Sequence, residues 1–523
     1  MRKLILVLLA AAAVCPAQYD VLIRNGRVID GTGNPWRRTN IAINGDTIAA
    51  IGPLIGATAK RTIDARDQIV SPGFIDIHTH SRRNIEQVPT ADNYLRQGVT
   101  TLIEGPDGSS ELPLRSLFAR VSAKGTSVNF GSMVGQGTVR QEVMGLVNRP
   151  ATPAEIERMK AIVRSEMEAG ALGLSTGLFY VPGNFTPTAE VTELARVAGE
   201  MGGIYISHMR DESDKLIESV KETIAIGENA HMPTQITHHK VLGAPYKGES
   251  VETLKLVEEA RARGVDVTLD QYPYTASSTG LTGLVPQWAQ EGGHDAMVKR
   301  FQDPAIRPRI KAGIVENIKI RRGGGDPKNV QLAVCQFDPS LNGKTLAQIT
   351  QERGKEPTAE NSADITMEIL SHGNCQAVYH AIDESDIERI MKYPDTMIGS
   401  DGEVAVFGRG VIHPRSYGTF ARVLGVYVRE RKVITLQDAI RKMTSLPAQR
   451  MNLMDRGLLR PGMKADVVIF DPNVIADKAE YGNPHQYAVG VSYVLVNGQV
   501  AIDDGRITAA RPGRILYGPA HKN

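Results

Sequence analysis

Eight short apolar runs recur through the middle of this chain, and polar or ionisable residues close most of them: FIDIHTH, VTTLIE, SVNFGSM, ALGLS, GIYISH, PTQITHH, GVDVTLD and DTMIGSD. Runs of this length suit strands buried on both faces, and the longer stretches between them suit helices. One helix is well signalled. Thr152, Pro153 and Glu155 make a capping box with proline in the first turn, Ile156, Met159 and Val163 follow, and Gly170 comes after the end. This alternation predicts an α/β chain folded as a (β/α)8 barrel, with an open doubly wound sheet as the competing architecture. The stretch between the seventh and eighth runs is too long for one helix. Residues about 280–390 are therefore predicted to form an insertion over the barrel mouth.

The two ends differ from this middle. Residues 18–70 contain YDVLIRNGRVIDGTG and NIAINGDTIAAIG, strand-like segments punctuated by Asn-Gly turns, and residues 458–523 repeat the style in ADVVIFDP, VSYVLVNGQVAIDDG and RITAARPGRILYG. Neither end holds enough strands for a core of its own. Both are predicted to pair in one composite β-sandwich, leaving residues 71–457 to the barrel.

The first 17 residues, MRKLILVLLAAAAVCPA, have a basic start, an apolar stretch of about a dozen residues and small residues near Ala17, as a secretory signal peptide does. A membrane span needs roughly 20 apolar residues, so export with cleavage after Ala17 is expected, to a bacterial periplasm and without stable membrane insertion. Val14 and Pro16 around Cys15 fit a lipoprotein signal poorly. Cys335 and Cys375 remain in the mature chain; a single possible pair is no disulfide framework, and the reading favours buried free thiols over a bridge. With 41% hydrophobic and 23% charged residues, a formal net charge of +2 and no basic block, the composition is globular and gives no reason to expect a nucleic-acid partner.

Function in a barrel collects at the carboxyl ends of its strands. His78 and His80 stand one residue apart at the end of the first run, so on a strand both imidazoles share a face. Glu104 and Asp107 follow the second run, His208 closes the fifth, His238 the sixth and Asp401 the eighth. Four imidazoles and two or three carboxylates at equivalent strand ends make a nitrogen and oxygen donor set suited to one or two zinc-like ions.

Neighbouring residues carry paired readings. Lys240 lies two positions beyond His238 and shares its face if the strand persists, whereas His239 points away and reads as structural. Arg210 is either a cation facing the substrate or an ion partner of Asp211 or Glu212. Arg415, in HPRSYGTF, either grips a substrate carboxylate or staples its loop. Tyr272 and Tyr274 either line the mouth or pack around the turn at Pro273.

Taken with GALGLSTGLFYVPG, GGIYISHMRDES, DQYPYTASST, MTSLPAQRMNL and PGMKADVVIFDP, these motifs resemble, in order and over nearly the whole mature chain, the N-acyl-D-amino-acid deacylases (D-aminoacylases) of the amidohydrolase superfamily. The resemblance implies a zinc-bearing barrel that hydrolyses the amide of a small N-acyl-D-amino acid. It makes His78, His80, His208 and His238 metal ligands, Asp401 the catalytic aspartate, Lys240 the lysine that accompanies the strand-six histidine and Arg415 the receiver of the substrate carboxylate. Tyr272 and Arg210 are carried as further substrate contacts. One departure stands out: where the family has Asn-Cys-Gly with a metal-binding cysteine, this chain has Pro106-Asp107-Gly108. Asp107 takes the cysteine's place by position, and Glu104 is the alternative, able to bridge two ions. Gln136 replaces a usual histidine, and ALGLS offers no lysine for the carbamate bridge of hydantoinase-like relatives. The implied chemistry has Asp401 as base and Lys240 or a nearby donor polarising the carbonyl. The competing readings are an amidohydrolase of dipeptides or cyclic amides, and a metal-free exported binding protein.

Overall fold

The computed structural model describes residues 18–522; the proposed signal peptide lies outside them. Eight parallel strands form the barrel: Phe74–Asp76, Val99–Glu104, Asn129–Ser132, Gly173–Gly177, Ile204–His208, Thr234–Ile236, Val267–Gln271 and Thr396–Ile398. They are the eight runs read from the sequence, each completely buried. Backbone bonds close the circle between first and last. Asp401 N donates to His78 O (2.9 Å), and His80 N donates to Gly402 O (2.7 Å).

The helix between the third and fourth strands, Pro153–Ala169, shows how local chemistry fixes an element. The Thr152 hydroxyl accepts from Glu155 N while the Glu155 carboxylate accepts from Thr152 N, and Gly170 ends the helix at φ 111°. Such a cap stabilises by about 1 kcal/mol. Met159, Val163 and Met167 turn inward to the core.

The two chain ends share a nine-stranded sheet that wraps a common core. Ile69–Pro72 from the N-terminal part runs antiparallel to Val467–Phe470 from the C-terminal part, so segments some 400 residues apart are bonded neighbours. The predicted sandwich takes the form of one continuous sheet that forks at Gln18–Val28. Its inward residues, among them Val21, Ile23, Ile41, Ile43, Val467 and Leu495, alternate as the sequence pattern requires. Asn44-Gly45 does turn a hairpin, whereas Asn25-Gly26 falls within the strand Gln18–Val28, at a register shift.

Between the seventh and eighth barrel strands lies the insertion. Ser277–Gly280, Val330–Cys335 and Cys375–Tyr379 make an antiparallel sheet, covered by the helices His294–Gln302, Arg307–Lys319, Leu346–Glu352 and Ala359–His372 around a separate core. The helix Glu384–Lys392 packs back on the barrel strands, so the insertion ends before it. Cys335 and Cys375 are joined by a disulfide, which corrects the expectation of free thiols. They sit directly opposite one another on paired strands with Cα atoms 4.4 Å apart, a register that no count of intervening residues reveals.

Candidate metal centre

His78, His80, Asp107, His208, His238 and Asp401 converge at the carboxyl ends of the strands. Among the described residues two groups of potential ligand atoms lie within 4.8 Å of one another: His78, His80, Asp107 and Asp401, and Asp107, His208 and His238. Asp107 belongs to both. Its Oδ1 is 3.4 Å from His78 Nε2, 3.3 Å from His238 Nε2 and 3.6 Å from His208 Nδ1, while its Oδ2 is 3.4 Å from His80 Nε2.

Local backbone chemistry brings these groups together. Gly105, Asp107 and Gly108 all take positive φ, and the turn they form lies flat against the end of the fourth strand. Gly108 N donates to Ser175 Oγ, and Ser175 Oγ donates to Gly105 O. A Cβ at Gly177 would stand 2.1 Å from Asp107 O, so only glycine permits this approach. Asp401 and His238 also adopt positive φ, 51° and 34°. Each is held by the buried carboxylate of a neighbouring strand: Asp76 accepts from Ser400 N, and Asp270 accepts from His238 N. Strained backbone concentrated on three residues of one cluster is a mark of a functional site.

A divalent cation fits this arrangement. His78 Nε2 and Asp107 Oδ1, which face one another in the cluster, are both buried without a hydrogen-bond partner. Leaving such atoms unpaired costs about 1–3 kcal/mol each, a penalty that coordination of the inward-facing atoms would remove. Imidazole nitrogens and carboxylate oxygens at this spacing are the donors that zinc accepts.

The electrostatics agree. Burial pushes the Asp107 carboxyl upward, but His78 and His238 outweigh it and hold the group well below the usual carboxylate range. Asp401 is likewise held ionised against its burial, chiefly by Arg415. Burial pulls His208 down to about 4, so its imidazole is neutral and able to bind a cation.

Beyond the cluster lies an open cavity of about 760 Å³, with His80, Asp107, Asp401 and Arg415 in its wall. Arg415 starts the helix Arg415–Arg422 and places Nη1 2.8 Å from Asp401 Oδ2, off the hydrogen-bonding line. His413 aligns it, accepting from Arg415 N while its other ring nitrogen lies 3.0 Å from Ala276 O.

The Amidohydrolase family matches residues 61–502. The chain belongs to that family. The D-aminoacylase of Alcaligenes xylosoxydans xylosoxydans is 36% identical to it over 521 residues, with 95% of this chain and 97% of that protein covered. A crystal structure of D-aminoacylase superposes with a TM-score of 0.82 at 35% identity, covering 95% of this chain and all of that one. The N-acyl-D-glutamate deacylase from Bordetella bronchiseptica, complexed with zinc and a phosphonate mimic of the tetrahedral intermediate, gives 0.81 at 33% identity over 96% of this chain and all of that one.

In this amidohydrolase two of the residues read from the sequence stand apart from the cluster. Glu104 turns away: its carboxylate accepts from Arg82 N and Nη1 and from Ser81 Oγ, so Asp107 alone of the two carboxylates reaches the centre. Arg210 does not line the cavity. It pairs with Glu222 and donates to the carbonyls of Asn184 and Thr186, because the chain leaves the strand after His208 and alternation no longer applies. Its partner is neither Asp211 nor Glu212. Tyr272 is buried with the Arg415 guanidinium 4.8 Å above its ring and a hydroxyl that has no partner. Lys240 donates to Glu212 Oε1 (2.5 Å) and His238 O (2.9 Å), behind His238 rather than in front of it. His239 points away, 2.8 Å from Thr253 Oγ1. Gln136 donates to Thr186 Oγ1 and is likewise buried. Glu212, read from sequence only as a neighbour of Arg210, lies against both His208 and His238.

Proposed function

We propose that this chain is an exported, zinc-dependent hydrolase of N-acyl-D-amino acids, releasing a carboxylic acid and a D-amino acid. One observation carries the reading: Asp401 has Oδ1 3.0 Å from His80 Nε2 and Oδ2 2.8 Å from the Arg415 guanidinium, at the edge of the cavity. A carboxylate so placed is shared between the ligand cluster and a cation suited to a substrate carboxylate. The family membership and the names of the relatives support the same substrate class.

His78, His80, Asp107, His208 and His238 would hold the zinc, which supplies Lewis acidity and acidifies water at neutral pH. Asp401 takes a proton from the attacking water and returns it to the departing nitrogen, so that no amide anion has to leave. Arg415 receives the α-carboxylate in bidentate fashion, with the Tyr272 ring beneath it and the Tyr272 hydroxyl free to donate. Lys240 swings from Glu212 toward the ligand or stays to brace His238; its present hydrogen bonds favour the bracing role. Carboxylate and amide are thereby fixed, two of the four arms of the α-carbon, and the room the cavity leaves for the side chain as the third would choose the enantiomer.

The test is a hydrolysis screen of paired N-acyl-D- and N-acyl-L-amino acids with zinc-loaded protein, alongside Asp401→Asn. Turnover of the D series by the wild type and its loss in the variant are expected. Equal turnover of both series, or full activity in a variant that still holds metal, would overturn the reading. The cavity volume exceeds what an acetyl group fills, which favours including dipeptides in the screen. Export is supported by the leader-like first 17 residues and by the Cys335–Cys375 bridge, a bond at home in an oxidising compartment. Mature protein from a periplasmic fraction should begin at Gln18.

A further inference from the structure

Behind the metal-facing edges of His208 and His238 lies one fully buried carboxylate, and its two oxygens are divided between them. Glu212 Oε1 is 3.2 Å from His238 Nδ1, and Glu212 Oε2 is 3.7 Å from His208 Nε2. The opposite nitrogens, His238 Nε2 and His208 Nδ1, face Asp107 and lie 2.8 Å from each other. We propose that Glu212 is a positioning residue that fixes the tautomer and the ring orientation of both histidines, so that His238 presents Nε2 and His208 presents Nδ1 to a bound cation. The proposal rests on the metal-hydrolase reading above.

The chemistry of the imidazole ring requires such a group. A neutral ring that gives one nitrogen's lone pair to a cation carries its proton on the other, and that N–H needs an acceptor. Lys240 Nζ lies 2.7 Å from His238 Nδ1, but an ammonium has no lone pair to offer. Once Nε2 is committed to a cation, the Nδ1 proton is left with Glu212, and Lys240 with Glu212 and the His238 carbonyl. His208 Nε2 and Glu212 Oε2 each lack a hydrogen-bond partner and face one another, a gap that closes with a small rotation of either side chain.

Two cations flank the carboxylate. Lys240 Nζ lies 2.5 Å from Glu212 Oε1. Arg322, carried by the insertion and 5% exposed, brings Nη2 to 3.6 Å from Glu212 Oε2 while stacking 4.3 Å over Phe179. The insertion therefore reaches the back of the centre as well as covering its mouth.

The experiment is zinc affinity by competition with a chromophoric chelator, and the visible spectrum of the cobalt-loaded protein, for wild type and Glu212→Gln, with circular dichroism as the check on folding. The amide keeps the shape but retains one acceptor where two are needed. Affinity for one zinc equivalent should fall about 10–100-fold, the cobalt spectrum should change, and kcat should drop more than KM rises. A folded E212Q with unchanged affinity and spectrum would overturn the proposal. Should E212Q not fold because Lys240 is left unpaired, the double variant E212Q/K240M removes both charges and is held to the same two outcomes. Wild-type protein that binds no divalent cation would instead overturn the metal-hydrolase reading itself.

Discussion

The two halves of the ligand cluster are built differently. His80 and Asp401, from the first and eighth strands, open onto the cavity and meet Arg415. His208 and His238, from the fifth and sixth, are closed off behind by Glu212, Lys240 and Arg322. One half is arranged to meet a substrate and exchange protons with it, the other to hold still. Charged groups on the first side should therefore govern turnover, and those on the second the retention of metal.

Asp401→Asn should strike hardest, lowering kcat about 10²–10⁴-fold, the usual contribution of acid–base catalysis. Zinc content by elemental analysis should remain near the wild-type level; a variant that lost its metal would erase the distinction between the halves. Arg415→Met should lower kcat/KM on N-acyl-D-amino acids about a hundredfold, as loss of one partner of a buried charge pair does. Substrates with the α-carboxylate amidated should then be affected far less in the variant, a comparison that separates recognition from damage.

Two further tests fall outside the cluster and should leave both halves working. Replacing Cys335 and Cys375 together by serine should destabilise the insertion by about 2 kcal/mol, read from denaturant unfolding, with zinc content unchanged. Glu104→Gln should cost about 1–2 kcal/mol through the weakened Arg82 contact, and a loss of zinc in this variant would restore Glu104 as a ligand.

How much of this was legible depended on whether local pattern or long-range register decided the point. The barrel strands were readable because each is a short apolar run, most of them closed by a polar residue, and the Thr152 box marked a helix unaided. Asp107 was placed by the family resemblance, while the physical reason lies in left-handed backbone at Gly105, Asp107 and Gly108 packed on Gly177. The place of Arg210 was not readable because the strand ends at His208, two positions earlier, and the course of the chain beyond it has no local signal. Glu212 follows His208 by four positions in HMRDE, and nothing local says that the chain turns to put it behind two imidazoles. The cysteine bridge depended on cross-strand register in the insertion, which apolar periodicity does not encode.

The seam of the barrel has a consequence for biogenesis. The spacing between His80 and Asp401 is set where the first stave meets the last, by main-chain bonds from residue 401 to 78 and from residue 80 to 402. A chain still emerging from the ribosome, or truncated before that final stave, carries every histidine of the centre but has no working site. Reactivity is acquired at closure, when the molecule is already complete around it.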